Sequence, residues 1–281
     1  MARIKCKSEV VTKEVTSFSF KEVVIKGILF EEGELIVNTY YDETSRFLFK
    51  ASSDALKNIF VKEDGEKLII NGRDNYFITD SITIDIYGND FNYINLMNAK
   101  TTIFGEALSR DFELSFHTAS NVYIDKLDYS NGDIKVLGAS CLRVSKIEGN
   151  DLDLEVGGAS KVIIESGDGD DLRIDVYGAS KAEIEGIKFK DIDLKVSGAS
   201  IGQFEGSIDD LDARIEGASK LHAKDLSVND CKLITVGASV SEVSFTESGR
   251  LSSEGASKIF YYSNSDDVKT TESGFGKIEK K

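Results

Sequence analysis

The chain has 281 residues, and 34 Lys+Arg against 49 Asp+Glu leave a formal net charge of −15. That balance excludes the basic footprint by which proteins displace counterions from nucleic acid, and it argues against docking on anionic lipid. A hydrophobic content of 41% supports a packed core, while three cysteines cannot build a disulfide framework.

The chain opens MARIKCKSEVVTKEV, without the apolar stretch or cleavage pattern of a secretory signal. The expectation is a cytoplasmic chain if the sequence is complete. No apolar run precedes Cys6, so a lipidated start is not expected. No run of about 18 apolar residues follows anywhere, so no membrane span is expected. Residues 1–97 read as β-structure: EVVIKGILF, GELIVNTYY, SRFLFKA and KLIING alternate or run apolar, with turns at Glu31-Glu32-Gly33 and Glu63-Asp64-Gly65. ITIDIYG at 82–88 reads as the strand that feeds a first coil. The segment is expected to form irregular opening coils and a cap, because an uncovered end would be a sticky sheet edge.

From residue 98 the chain repeats. Gly-Ala-Ser recurs at Gly138, Gly158, Gly178, Gly198, Gly217, Gly237 and Gly255, in steps of 20, 20, 20, 19, 20 and 18 residues. Degenerate copies stand upstream at Thr118-Ala119-Ser120 and Asn98-Ala99-Lys100, and Gly274-Phe275-Gly276 continues the series downstream. Before each Ala the chain alternates, as in Leu152, Leu154 and Val156 or Leu172, Ile174 and Val176. Five residues after it stands another apolar column, including Ile124, Val144, Ile164, Ile184, Phe204 and Val243. Period-2 alternation on both sides predicts two short strands per repeat, each with one buried face.

The tripeptide is expected to be a corner. Gly permits positive φ, Ala is small enough to point into the crowded bend, and the Ser hydroxyl can bond its stacked neighbour. A 20-residue unit cannot bury its own apolar face, but stacked copies can. The predicted fold class is all-β: a single-stranded parallel β-helix (solenoid) with coils about 4.8 Å apart. The expected division is 1–97 as opening coils and cap and 98–281 as regular repeats, in one continuous domain.

The corner series, flanked by strands of the form L-x-L-x-V and K-x-x-I-E, resembles the bacterial auto-transporter adhesin family with a head GIN domain. The Phe-rich strand Ser17-Phe18-Ser19-Phe20 and the ending Phe260-Tyr261-Tyr262 followed by Ser273-Gly274-Phe275-Gly276 are also similar to that family. The resemblance covers roughly residues 15 to 278. Family corners are typically Gly-Ala-Gly, where this chain has Gly-Ala-Ser. The resemblance implies a right-handed β-helix, exported to the cell surface or periplasm, with an adhesive role.

Candidate chemistry is sparse. His117 and His222 fall about five coils, roughly 24 Å, apart. They cannot share a site, so no Ser/His/Asp or Cys/His arrangement is expected. Cys231 falls in an inward column and Cys141 at a coil edge, and no metal-ligand spacing links Cys and His. Carboxylates remain. Glu165, Glu185 and Glu205 share one repeat position and are expected to stack as a ladder that could meet a hard cation or lie solvated, with Lys161, Lys181 and Lys220 on a column nearby. Gly167-Asp168-Gly169-Asp170-Asp171 reads as a loop between coils. The outward column Asp133, Asp153, Arg173, Asp193, Asp212, Lys232 mixes signs and gives no track for a polyanion. Tyr177, beside a corner, is a candidate ligand contact, and Phe260 and Tyr262 are expected to project outward.

The favoured reading is a non-enzymatic scaffold or adhesive surface module that binds a cell-surface glycan or protein. It needs no metal or cofactor, involves no nucleic acid, and is compatible with a homo-oligomer. Two other readings stay open. One is a carbohydrate-active enzyme using paired carboxylates. The other is a cytoplasmic β-helix assembling end to end through its sheet edges.

Overall fold

The 20-residue spacing of the corners becomes the pitch of a solenoid. The computed structural model describes residues 2–4, 10–16, 19–30, 33–73, 76–78 and 80–281. Cys6, Ser17, Phe18, Glu31 and Glu32 lie outside the described residues. About 75% of the chain is strand and 3% helix, wound as a β-solenoid of about ten turns. Among the described residues one continuous sheet system of 21 strands carries the turns, beside a separate three-stranded sheet.

Parallel pairing sets each residue beside its counterpart one repeat later: Asp151 beside Asp171, Leu152 beside Leu172, Val156 beside Val176. A coil contains three paired segments rather than the expected two. Cys141–Val156, for example, pairs with the preceding coil over 141–144, 146–149 and 151–156. The short coils lose residues only between segments. Register shifts fall between Ile184 and Ile187, between Ala223 and Ser227, and between Val228 and Asp230. A deletion inside a strand would turn every following side chain to the wrong face, whereas a corner absorbs it.

The interior is a set of aliphatic columns. Leu152, Leu154, Val156, Val162 and Ile164 are buried, as are their counterparts in adjacent coils. One column sets two glycines, Gly149 and Gly169, between two rings. Tyr129 lies over Gly149 and Phe189 over Gly169, where an added Cβ would meet the rings at 2.5 and 2.4 Å. This explains Gly167-Asp168-Gly169-Asp170-Asp171, which is not a loop. It lies within the strand Gly167–Val176, and its glycines leave room for Ile147 and Phe189.

At the corner the glycines take positive φ, +83° at Gly138 and +82° at Gly158, Gly178 and Gly198. The degenerate corners use the same conformation without glycine, at Thr118 (+70°) and Asn98 (+56°). The expectation for Ala is overturned. From Ala139 to Ala256 the corner alanines are exposed, and the serines from Ser120 to Ser257 are buried. Hydrogen bonding decides this. Ser160 Oγ donates to the Gly157 carbonyl at 2.8 Å and accepts from Ser140 N–H at 3.2 Å. The same inter-coil bond runs from Ser120 to Ser239. A corner closing on a buried backbone must satisfy its polar groups, and Ser does so where Ala cannot.

Before the first clean corner, pairing becomes irregular. Arg46–Ser52 runs antiparallel to Val10–Thr16 and to Ile82–Gly88. Ile59–Asp64 and Lys67–Gly72 form a hairpin over Gly65 (φ +64°). Lys67–Gly72 then pairs in parallel with Glu22–Lys26, which pairs with Phe91–Met97. Phe20 is buried, stacked on Phe91 at 5.8 Å and edge-on to Phe47. At the other end the core columns turn polar. Thr270 stands beside Leu251, Glu272 beside Ser253 and Lys280 beside Tyr261. Glu272 Oε1 accepts the Ile278 N–H at 2.6 Å. Charge in a core column discourages further stacking.

Candidate functional site

With an aliphatic interior, chemistry is confined to outward files, which the pairing register defines residue by residue. Lys161, Lys181 and their neighbours begin one outward face. Pairing of Lys161–Ile164 with Lys181–Ile184, and of Ile184 with Phe204, brings Glu165, Glu185 and Glu205 to successive coils. Glu165 pairs with an arginine. It accepts from Arg143 Nε at 2.6 Å, and that contact holds its carboxyl below the usual range. Lys161 and Lys181 do not offset this file. Both bind Glu183, at 2.6 Å for Lys161, and although burial opposes ionisation these hydrogen bonds keep the Glu183 pKa low. On the adjoining segment Lys126 and Lys146 hold Glu148 at about 2. His222 lies 3.2 Å from Glu242 on the outer face. Upstream, Tyr87, Tyr40 and Phe104 stack at 5.0 and 5.2 Å, with Arg46 over Tyr87 at 4.2 Å.

The segment equivalent to Asp151–Val156 builds a second face that is more acidic. Its first outward file is Asp151, Asp171, Asp191, Asp210, Asp230: five successive carboxylates about one coil spacing apart. Sequence reading missed this file, although its members recur at the corner spacing. Burial and neighbouring aspartates push Asp151 and Asp191 above the usual carboxylate range, with Asp171 standing beside both. A shallow hollow of about 420 Å³ lies here, lined by Asp151, Asp153, Asp171, Arg173, Asp191 and Asp193.

The next file carries the mixed signs read from the sequence. Arg173 stands 3.8 Å from Asp153 and 3.7 Å from Asp193, and Lys232 binds Asp212 at 2.7 Å. Among the described residues no three His, Cys, Asp or Glu side chains are grouped to hold a metal ion. No helix among them is long and apolar enough to cross a membrane.

Tyr177 is half-buried on this face. Its hydroxyl donates to Glu155 at 2.6 Å, and that bond, with burial, raises its pKa to about 12. Its ring covers Gly157 of the preceding coil, where a Cβ would lie 2.3 Å from the ring. The structure therefore gives Tyr177 a clasp between coils. Phe260 and Tyr262 are half-buried beneath Lys281 and Lys224, at 4.7 and 5.1 Å. Cys231 is buried, and burial lifts its thiol to about 12. Cys141 is half-buried.

Residues 146–265 match the family model described as "Putative auto-transporter adhesin, head GIN domain". It is the family that the corner motif resembles. No curated protein matches the chain. Among solved structures, a putative lipid binding protein from Parabacteroides distasonis is similar at 12% identity, with a TM-score of 0.55 over 100% of both chains. A putative adhesin from the same species gives 15% identity and a TM-score of 0.52, again over 100% of both. A putative adhesin from Parabacteroides merdae gives 12% and 0.53 over 99% of both. At these identities the likeness is one of fold.

Proposed function

We propose that the chain is a non-enzymatic, adhesin-like β-solenoid that binds a cell-surface glycan or protein through its outer faces. One observation carries the reading. Outward side chains run in files from coil to coil: one file is aspartate throughout from Asp151 to Asp230, and the next mixes signs, with Arg173 between Asp153 and Asp193. Such a lattice meets an extended ligand by many weak contacts and does not converge reactive groups on one bond. The names of the matched family and of two of the similar structures support the same reading.

The test pairs two assays on one preparation. The immobilised chain is screened against glycans and cell-surface protein extracts, and it is incubated with acidic and neutral polysaccharides while reducing ends are measured. Retention on at least one surface without new reducing ends is the expected result. Release of reducing ends that disappears in Asp171→Asn would replace this reading with a hydrolytic one.

A further inference from the structure

We propose that the outer face formed by the strands Glu22–Lys26, Ile59–Asp64, Lys67–Gly72 and Phe91–Met97 binds an acidic sugar, one with a carboxylate beside its ring hydroxyls. The proposal rests on the adhesin-like reading and names its ligand class.

Pairing register assembles the site. Phe60 stands opposite Asn71 across the hairpin, and Asn71 lies beside Lys26. Met97 follows Leu96, which pairs with Ile25. Ile25, Ile70 and Leu96 are buried, so the residues after them face outward by strand alternation. Lys62 and Arg73 border the row, and together these residues line a groove of about 880 Å³. That volume suits a sugar of one to a few rings. The groove is open because its floor is bare backbone. A Cβ on Gly72 would lie 2.3 Å from the Gly27 carbonyl oxygen.

Three properties select the ligand. First, charge: Lys26, Lys62 and Arg73 gather here in a chain of net −15, whereas the hollows on the other face are walled by aspartates. Lys62 is shared with Asp64 at 3.1 Å, and Lys26 has no ion pair among the described residues. A carboxylate gains charge-assisted hydrogen bonds from such a set. Second, Phe60 is 53% exposed and Met97 37%, an apolar patch that can take the C–H face of a sugar ring. Third, Asn71 lines the groove, and its side-chain amide N–H can donate to a hydroxyl or carboxylate oxygen. A sugar offers hydroxyl oxygens to such a donor, whereas the tail of a fatty acid has none to offer.

The experiment is titration calorimetry of the full chain with trigalacturonate and with its fully methyl-esterified form, which keeps the rings and removes the charge. The acid should bind at least ten-fold tighter than the ester at 50 mM salt, with the advantage shrinking at 500 mM. Lys26→Gln and Phe60→Ala should each weaken the acid at least five-fold. Both side chains are exposed, so circular dichroism and the melting temperature should not change. Equal binding of acid and ester, no heat at millimolar acid, or full affinity in both variants overturns the proposal. If a chain carrying both Lys26→Gln and Phe60→Ala keeps the retention seen in the glycan and surface-protein screen, only this site fails. Absence of retention on every surface removes the adhesin-like reading as well.

Discussion

Gly158→Ala should be among the most damaging single-methyl additions in the chain. Gly158 sits at φ +82°, a conformation that costs an L-residue about 1–2 kcal/mol. The new Cβ would lie 2.5 Å from Gly138 O and 3.1 Å from Gly138 N, so it meets backbone rather than a yielding side chain. Relief requires the two coils to part at the corner. That weakens the Ala159 N–H to Gly138 O bond (2.8 Å) and the Ser140 N–H to Ser160 Oγ bond (3.2 Å), each about 1 kcal/mol. The combined loss is about 3–4 kcal/mol. Ser160→Ala removes the Oγ bond to Gly157 and the acceptor for Ser140, and should cost about 2 kcal/mol. Ala159→Lys, at an exposed position, should stay within about 0.5 kcal/mol of the parent. The assay is guanidinium unfolding followed by circular dichroism, read as a midpoint shift at unchanged slope. If Ala159→Lys proves as costly as Gly158→Ala, or Gly158→Ala loses less than about 1 kcal/mol, the corner geometry is wrong.

Acid titration should show two opposed windows. Asp151 and Asp191 have raised folded pKa values, so the folded chain binds these protons more tightly than the unfolded chain and gains stability as pH falls from neutral toward the usual carboxylate range. Asp171→Asn should raise the melting temperature at pH 7 and flatten that gain, and a steeper gain would contradict the stacked file. Glu148, Glu165 and Glu183 have lowered values, so their contribution is present above about 4.5 and is lost as pH falls toward 2. Tyr177→Phe should lose about 1 kcal/mol by removing the bond to Glu155 while leaving Gly157 covered, and chemical denaturation would detect it. Glu272→Leu combined with Lys280→Val makes the terminal core columns apolar and should cause concentration-dependent association in light scattering. A variant whose size does not change with concentration would show that these charges do not guard the edge.

Much of the fold was legible because a solenoid converts sequence period directly into space. Leu152 and Leu172 are neighbours because they stand one repeat apart, and alternation fixed which of their neighbours face water. Positive φ at the clean corners was legible from glycine, whereas Thr118 and Asn98 adopt it without one. The candidate site was less legible. Glu165 shares a repeat position with Glu185 and Glu205, yet its carboxylate pairs with Arg143, a guanidinium 22 residues away in sequence. Tyr177 looked free for a ligand beside its corner, but Gly157 one coil back left a gap that its ring fills.

Sequence by itself determined the coil length, the inward columns and the places where the chain turns, because each depends on a local pattern repeated along one axis. Only the tertiary structure decided that serine rather than alanine enters the corner, since that choice depends on a carbonyl and an N–H supplied by the same and the adjacent coil. The structure likewise brought Phe60, Asn71, Lys26 and Met97 into one row. Residues 1–97 have no repeat to announce their partners, and pairing between strands so far apart in the chain is settled by packing.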